Sequence, residues 1–197
     1  MLSRPRLAGL ALALLGFVGL LAAETGPSFE GKSLGQWMTL LKEVPKDAAR
    51  ASQDWRKAPW ALGKIGVPAL PGLIAALDDA DPHVRLRAIQ PIVAMGSAAS
   101  DAAPALAARL ADSDARVRQW SAAALGQIGP PAAGAVPGLV EALRDSEPTV
   151  RQAAAAALGA VGAPEAIEPL RGAATDPNLG VQRAARLALQ RLQPAKP

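Results

Sequence analysis

The sequence contains no cysteine, no tyrosine and a single histidine among its 197 residues. Without cysteine there are no disulfides, no thiolate nucleophile and no cysteine-ligated metal. The lone histidine, His83, follows Asp81-Pro82. There it lacks the converging ligands a metal needs and the fixed partner a catalytic base needs. No metal site, no cofactor and no catalytic residue is expected. The glycines stand singly at the ends of apolar runs rather than clustered in a phosphate-binding loop. Aromatics are only 3% of the chain, whereas half of it is hydrophobic. An apolar fraction built from Ala, Leu, Val and Ile suits closely packed helices. Charged residues are 19% of the chain, too few for a disordered one. Net charge is +4, and setting aside Arg4 and Arg6 leaves 19 basic against 17 acidic residues. So even a balance excludes nucleic acid as the expected partner, and no retention on DNA at physiological salt is foreseen.

What the sequence does have is a repeat. The stretch DSDARVRQWSAAALGQIG at 112–129 recurs as DADPHVRLRAIQPIVAMG at 79–96 and DSEPTVRQAAAAALGAVG at 145–162. Asp79, Asp112 and Asp145 are 33 residues apart, as are Arg85, Arg118 and Arg151. A fixed period of this size marks a solenoid, in which no unit can bury its apolar face alone. Each unit begins with a brief helix, PGLIAALDD at 71–79, PALAARLAD at 104–112 and PGLVEALRD at 137–145. Its proline suits a first helical turn, where the missing N–H is not needed. Asp81, Asp114 and Ser146 or Glu147 are then placed to cap a second helix. In that helix Val117, Ser121, Leu125 and Ile128 recur at helical spacing, as do Val150, Ala154, Leu158 and Val161. A glycine ends it, where a left-handed residue costs least.

The two ends depart from this grammar. Residues 1–23 combine the basic head Arg4 and Arg6 with an uncharged run from Leu7 to Leu21 and the small residues Ala22 and Ala23. They read as a cleaved export signal, with an uncleaved membrane anchor over residues 7–23 as the alternative. The expected location is periplasmic or extracellular. Residues 24–53 form a polar lead-in and a capping helix. In that helix Ser33 and Gln36 make a capping box, and Trp37 lies in the apolar stripe that covers the open end of the stack. The repeat domain covers residues 54–192. It begins with an irregular unit in which Trp55 occupies the arginine column and Pro59 falls inside the helix. It ends with a unit in which Gln182 replaces arginine. Residues 193–197 are a tail.

The 33-residue period also fits ankyrin and tetratricopeptide units, but the ankyrin T-P-L-H opening and the tetratricopeptide Trp/Gly/Tyr pattern are missing. A turn Asp, then Val-Arg, then an Ala-rich helix ending Leu-Gly-x-Ile/Val-Gly resembles HEAT repeats, in the short form also found in phycobilin-lyase-type proteins. The resemblance covers residues 54–192. It implies an all-α, right-handed α-solenoid of about four to five stacked helical hairpins. It also implies a ladder in which Asp79, Asp112 and Asp145 pair with Arg85, Arg118 and Arg151 between neighbouring units, with a break at Gln182. The second helices would line the concave surface, where partners of such stacks bind.

The recurrence of the Asp and Arg residues favours structure over acid–base chemistry, since an active site is needed once and a ladder in every unit. Trp120 is different, because the equivalent positions hold Arg87, Ala153 and Ala184. It is either an interface anchor or a filler for gaps left by alanine neighbours. Arg87, Gln119, Trp120, Gln152, Arg183 and Arg186 are the candidate contacts with a protein or peptide partner. Arg191 extends the basic edge, if these arginines are not simply a solvated face. The expected function is a non-catalytic interaction scaffold. The alternative is a lyase-like or other enzyme-accessory subunit. The di-iron hydroxylases built on similar repeats need several His–Glu pairs, which a single histidine cannot supply.

Overall fold

The computed structural model describes residues 26–43, 45 and 51–193. The export signal or anchor expected at 1–23 and residues 194–197 of the tail lie outside them. Beyond a two-stranded hairpin, the described regular structure is helical throughout. A capping pair consists of α1 (Leu34–Lys42) and α2 (Gln53–Ile65). Four hairpins follow: α3 (Leu70–Ala76) with α4 (Pro82–Met95), α5 (Ala103–Ala108) with α6 (Ala115–Ile128), α7 (Val136–Ala142) with α8 (Pro148–Val161), and α9 (Ile167–Ala173) with α10 (Leu179–Leu192). Stacked in order, these hairpins form an all-α solenoid. Among the described residues, no helix is long and apolar enough to cross a membrane.

The first helices begin one residue before the expected prolines and stop short of the aspartates. α3 ends at Ala76, α5 at Ala108 and α7 at Ala142. The aspartates instead bend the chain, each accepting an N–H from two residues on: Asp81 N to Asp79, Asp114 N to Asp112 and Glu147 N to Asp145, at 2.9–3.0 Å. Such turns compete with helical hydrogen bonding, which is why the first helices are short. Asp81 and Asp114 then cap α4 and α6 as expected, and Asn178 caps α10. The third unit differs. Glu147 occupies the cap position of α8 without a side-chain bond, and the Ser146 hydroxyl turns to Asp145 instead.

The expected stripes are buried: Val117, Ser121, Leu125 and Ile128 are at most 1% exposed. The second helices pack almost backbone to backbone. A Cβ placed on Gly159 of α8 would lie 2.7 Å from the Cα of Ala188 on α10, so no side chain fits there. The closing glycine of α6, Gly129, takes φ 75° and ψ −142°, outside the left-handed helical region the sequence suggested. That conformation is open essentially to glycine alone; of the glycines that close a helix among the described residues, only Gly162, at φ 79° and ψ 44°, is left-handed helical.

The N-terminal lead-in holds structure that the sequence did not announce. Strands β1 (Ser28–Phe29) and β2 (Lys32–Ser33) pair antiparallel across Glu30-Gly31, both at positive φ, as a tight two-residue hairpin requires. The hairpin is anchored from inside, since the fully buried Trp37 donates its indole N–H to the Phe29 carbonyl at 2.9 Å. The capping box of Ser33 and Gln36 forms as expected.

Candidate partner-binding face

The ladder residues tie each turn to the next. Arg85 donates to Asp112 at 2.7 Å, Arg118 to Asp145 at 2.6 and 2.8 Å, and Arg151 to Asp176 at 2.7 and 3.0 Å. The same arginines staple their own turns through the carbonyls of Asp79, Asp112 and Asp145, at 2.8–2.9 Å. The hydrogen-bonding guanidiniums hold the Asp145 and Asp176 carboxyls below the usual carboxylate range. At the far end Gln182 stands in the arginine column of the last described unit. It keeps the internal staple, donating to the Asp176 carbonyl at 2.7 Å, so the expected break costs Asp176 nothing. The true gap is at the start. Trp55 fills the arginine column, and Asp79 has no ion pair among the described residues.

Arg87 is engaged within the fold. Its guanidinium stacks on the Trp55 ring at 3.8 Å and donates to the carbonyls of Leu41 at 3.1 Å, Leu40 at 3.3 Å and Trp55 at 2.6 Å. The first two belong to the open C-terminal end of α1, whose last carbonyls have no helical donor. The third is unpaired for a different reason: its helical partner would be the N–H of residue 59, which is proline. One arginine of α4 thus ties in α1 and α2, which the ladder does not reach. Burial pulls its pKa down to about 10, and it is charged at neutral pH. The sequence placed Arg87 among the partner contacts; the structure assigns its guanidinium to this clamp.

The other candidates sort by register. Gln152 and Arg183 come together in a groove of about 310 Å³ between α8 and α10, floored by Ala156, Ala184 and Ala188 and bordered by Leu187 and Arg191. Arg186 does not join them; it bonds Gln182 and the carbonyl of Ala174, at 3.3 and 3.4 Å. Gln119 is half-buried on α6. Trp120, beside it, is 42% exposed and is not among the buried core residues. A second groove, of about 470 Å³, opens between α2 and α4 around Trp60 and Lys64. The sequence reading missed it. Its signal was the register position of Trp60, which the middle units fill with Gln90, Ala123 and Ala156. Trp60 is 51% exposed and Leu187, at the same position in α10, 57%.

A family model for HEAT repeats matches residues 49–126 and 103–190. The chain belongs to the HEAT-repeat family. Among solved structures, it is similar to a chain of the CpcE–CpcF complex of phycocyanin lyase from Nostoc sp. PCC7120. The identity is 27% and the TM-score 0.66, over 86% of this chain and 67% of that one. It is also similar to a designed armadillo repeat protein in complex with the peptide (KR)4, at 21% identity and TM-score 0.61 over 81% of each chain. Human deoxyhypusine hydroxylase matches at 24% identity and TM-score 0.53, over 81% of this chain and 73% of that one. At these identities the last two show a shared fold alone. No curated protein matches the sequence. Among the described residues of this HEAT-repeat chain, no group of three or more His, Cys, Asp or Glu is placed to hold a metal ion.

Proposed function

We propose that this HEAT-repeat protein is a non-catalytic scaffold that holds a peptide segment of a protein partner on the exposed face of its second helices. The observation that carries the reading is Trp120. An indole 42% exposed and outside the buried core, at a position where the following second helices carry Ala153 and Ala184, leaves much of its ring open to a partner. Tryptophan is among the residues most often found as an anchor at interfaces. Gln119, Gln152 and Arg183 lie on the same face. The solved relatives include a two-subunit complex and a peptide complex, which supports a protein partner for this fold. Selection of peptides from a random display library tests the proposal. Peptides enriched on the wild type lose binding to Trp120→Asp, while circular dichroism shows that variant still folded. No enrichment, or enrichment indifferent to Trp120, refutes it.

One observation favours a second reading, an enzyme-accessory subunit: the 27% identity to a phycocyanin lyase complex. A tetrapyrrole absorbance band retained by the purified protein after incubation with bilin would support that reading over the first.

A further inference from the structure

The charges of this protein are sorted by layer. The second helices α4, α6, α8 and α10 contain no Asp or Glu. The single carboxylate of α2, Asp54, is held by Lys32 at 2.9 Å. Every later carboxylate sits in a first helix, a link or a turn. The exposed second-helix face is therefore neutral to basic from end to end. Its cations are not evenly spread. Trp60 with Lys64, and Leu187 with Arg191, occupy the same two register positions on the first and last of these helices, one turn apart. The units between them carry Gln90 with Ala94, Ala123 with Gln127, and Ala156 with Ala160. Each end groove thus offers an exposed apolar side chain beside a cation, and Trp120 stands between the grooves. Arg183 and Arg191 have no hydrogen-bond or ion-pair partner among the described residues. Lys64 lies over the Trp60 ring, 5.8 Å from its centroid.

We infer that the partner segment is acidic and amphipathic. Its carboxylates meet Arg183 and Arg191 at one end of the face and Lys64 at the other, and its apolar side chains lie against Leu187, Trp120 and Trp60. The inference rests on the scaffold reading and names the chemistry of what that scaffold holds. Charge complementarity selects the partner, since a face that carries cations and no carboxylates attracts an acidic segment and repels a basic one. Five helices at about 8–10 Å spacing span about 32–40 Å, which an extended chain crosses in about 10–12 residues. A nucleic acid fits the same face poorly. Its phosphates recur along the whole strand, whereas the middle of the face offers glutamine and alanine, and the ladder arginines are already paired.

Three fluorescein-labelled twelve-residue peptides test this by anisotropy: three repeats of Glu-Leu-Asp-Gly, and the same peptide with every acid replaced by Gln or by Lys. The acidic peptide binds, and added salt weakens it. Arg183→Glu with Arg191→Glu weakens it about tenfold or more, as like-charge juxtaposition demands. Lys64→Glu weakens it less. All three substitutions are exposed, and thermal melts check that the fold is kept. Equal binding of the Gln peptide, or tighter binding of the Lys peptide, overturns the acidic assignment and leaves the scaffold reading standing. So does failure of all three peptides while the display selection still enriches other sequences. Failure of both experiments overturns the scaffold reading as well. A twelve-nucleotide oligothymidylate that binds more tightly than the acidic peptide, and is lost with the same two arginines, makes the face a nucleic-acid site and overturns the inference.

Discussion

The clamp formed by Arg87 makes a prediction that involves two residues at once. Arg87→Ala removes the donor from three carbonyls and the cation from the face of Trp55. The Trp55 carbonyl has no helical donor to fall back on, because residue 59 is proline; stranding it costs about 1–3 kcal/mol. The carbonyls of Leu40 and Leu41 stand at an open helix end and regain some water, at about 0.5–1 kcal/mol each. The lost stacking adds about 1 kcal/mol. Releasing a half-buried cation returns part of this, leaving a net cost of about 2–4 kcal/mol. Pro59→Ala restores an N–H within helical reach of the Trp55 carbonyl. In that background, Arg87→Ala should cost about 1–2 kcal/mol less than in the wild type. Denaturant unfolding of the four proteins measures the coupling. Hydrogen exchange locates it, because a solenoid opens unit by unit: protection should fall in α1 and α2 and persist in α8 and α10. Equal costs in both backgrounds, or a loss of protection spread evenly to α10, would refute the clamp.

The ladder predicts an acid limit to stability. The Asp145 and Asp176 carboxyls titrate below their usual value, so their contribution is complete above the unfolded carboxylate pKa of about 3.9 and disappears as pH falls through their lowered native values. Asp145→Asn should cost roughly 2–4 kcal/mol at neutral pH and flatten the acid limb of a melting-temperature-against-pH curve; an unchanged acid limb would show that the ladder is not the source. Leu125→Ala should destabilise the central hairpin by roughly 2–5 kcal/mol through a cavity at a fully buried site. A melting temperature equal to that of the wild type would mean that this stripe does not face the core.

What was legible in the sequence was whatever repeats or acts locally. The period, the helical spacing of Val117, Ser121, Leu125 and Ile128, and the capping of α4 and α6 by Asp81 and Asp114 each depend on a few neighbouring residues, so the hairpins and their order could be read directly. The pairing of the ladder between units came from resemblance, and the structure supplied its direction: arginine to the aspartate of the following unit. The β1–β2 hairpin escaped notice because two-residue strands have no periodicity to read. Glu147 was misleading because its position is that of a cap while its side chain makes no capping bond.

The exposed face was only half legible. Gln119, Trp120, Gln152 and Arg183 could be placed on the second helices by counting. Which of them share a groove depends on how far each hairpin is rotated against the next, and a helical period does not encode that rotation. Stacking brings Gln152 beside Arg183, leaves Arg186 on another side and leaves Trp120 in the open. At the N-terminal end, where the chain departs from its repeat, a proline frees a carbonyl and a distant arginine answers it. The sequence by itself determined that this is a stack of helical hairpins, because burial at every third or fourth residue is a local rule. Only the tertiary structure decided that Arg87 holds the fold together while Trp120 and Trp60 face outward. Whether a long surface side chain meets solvent or a stranded carbonyl depends on residues more than thirty positions away.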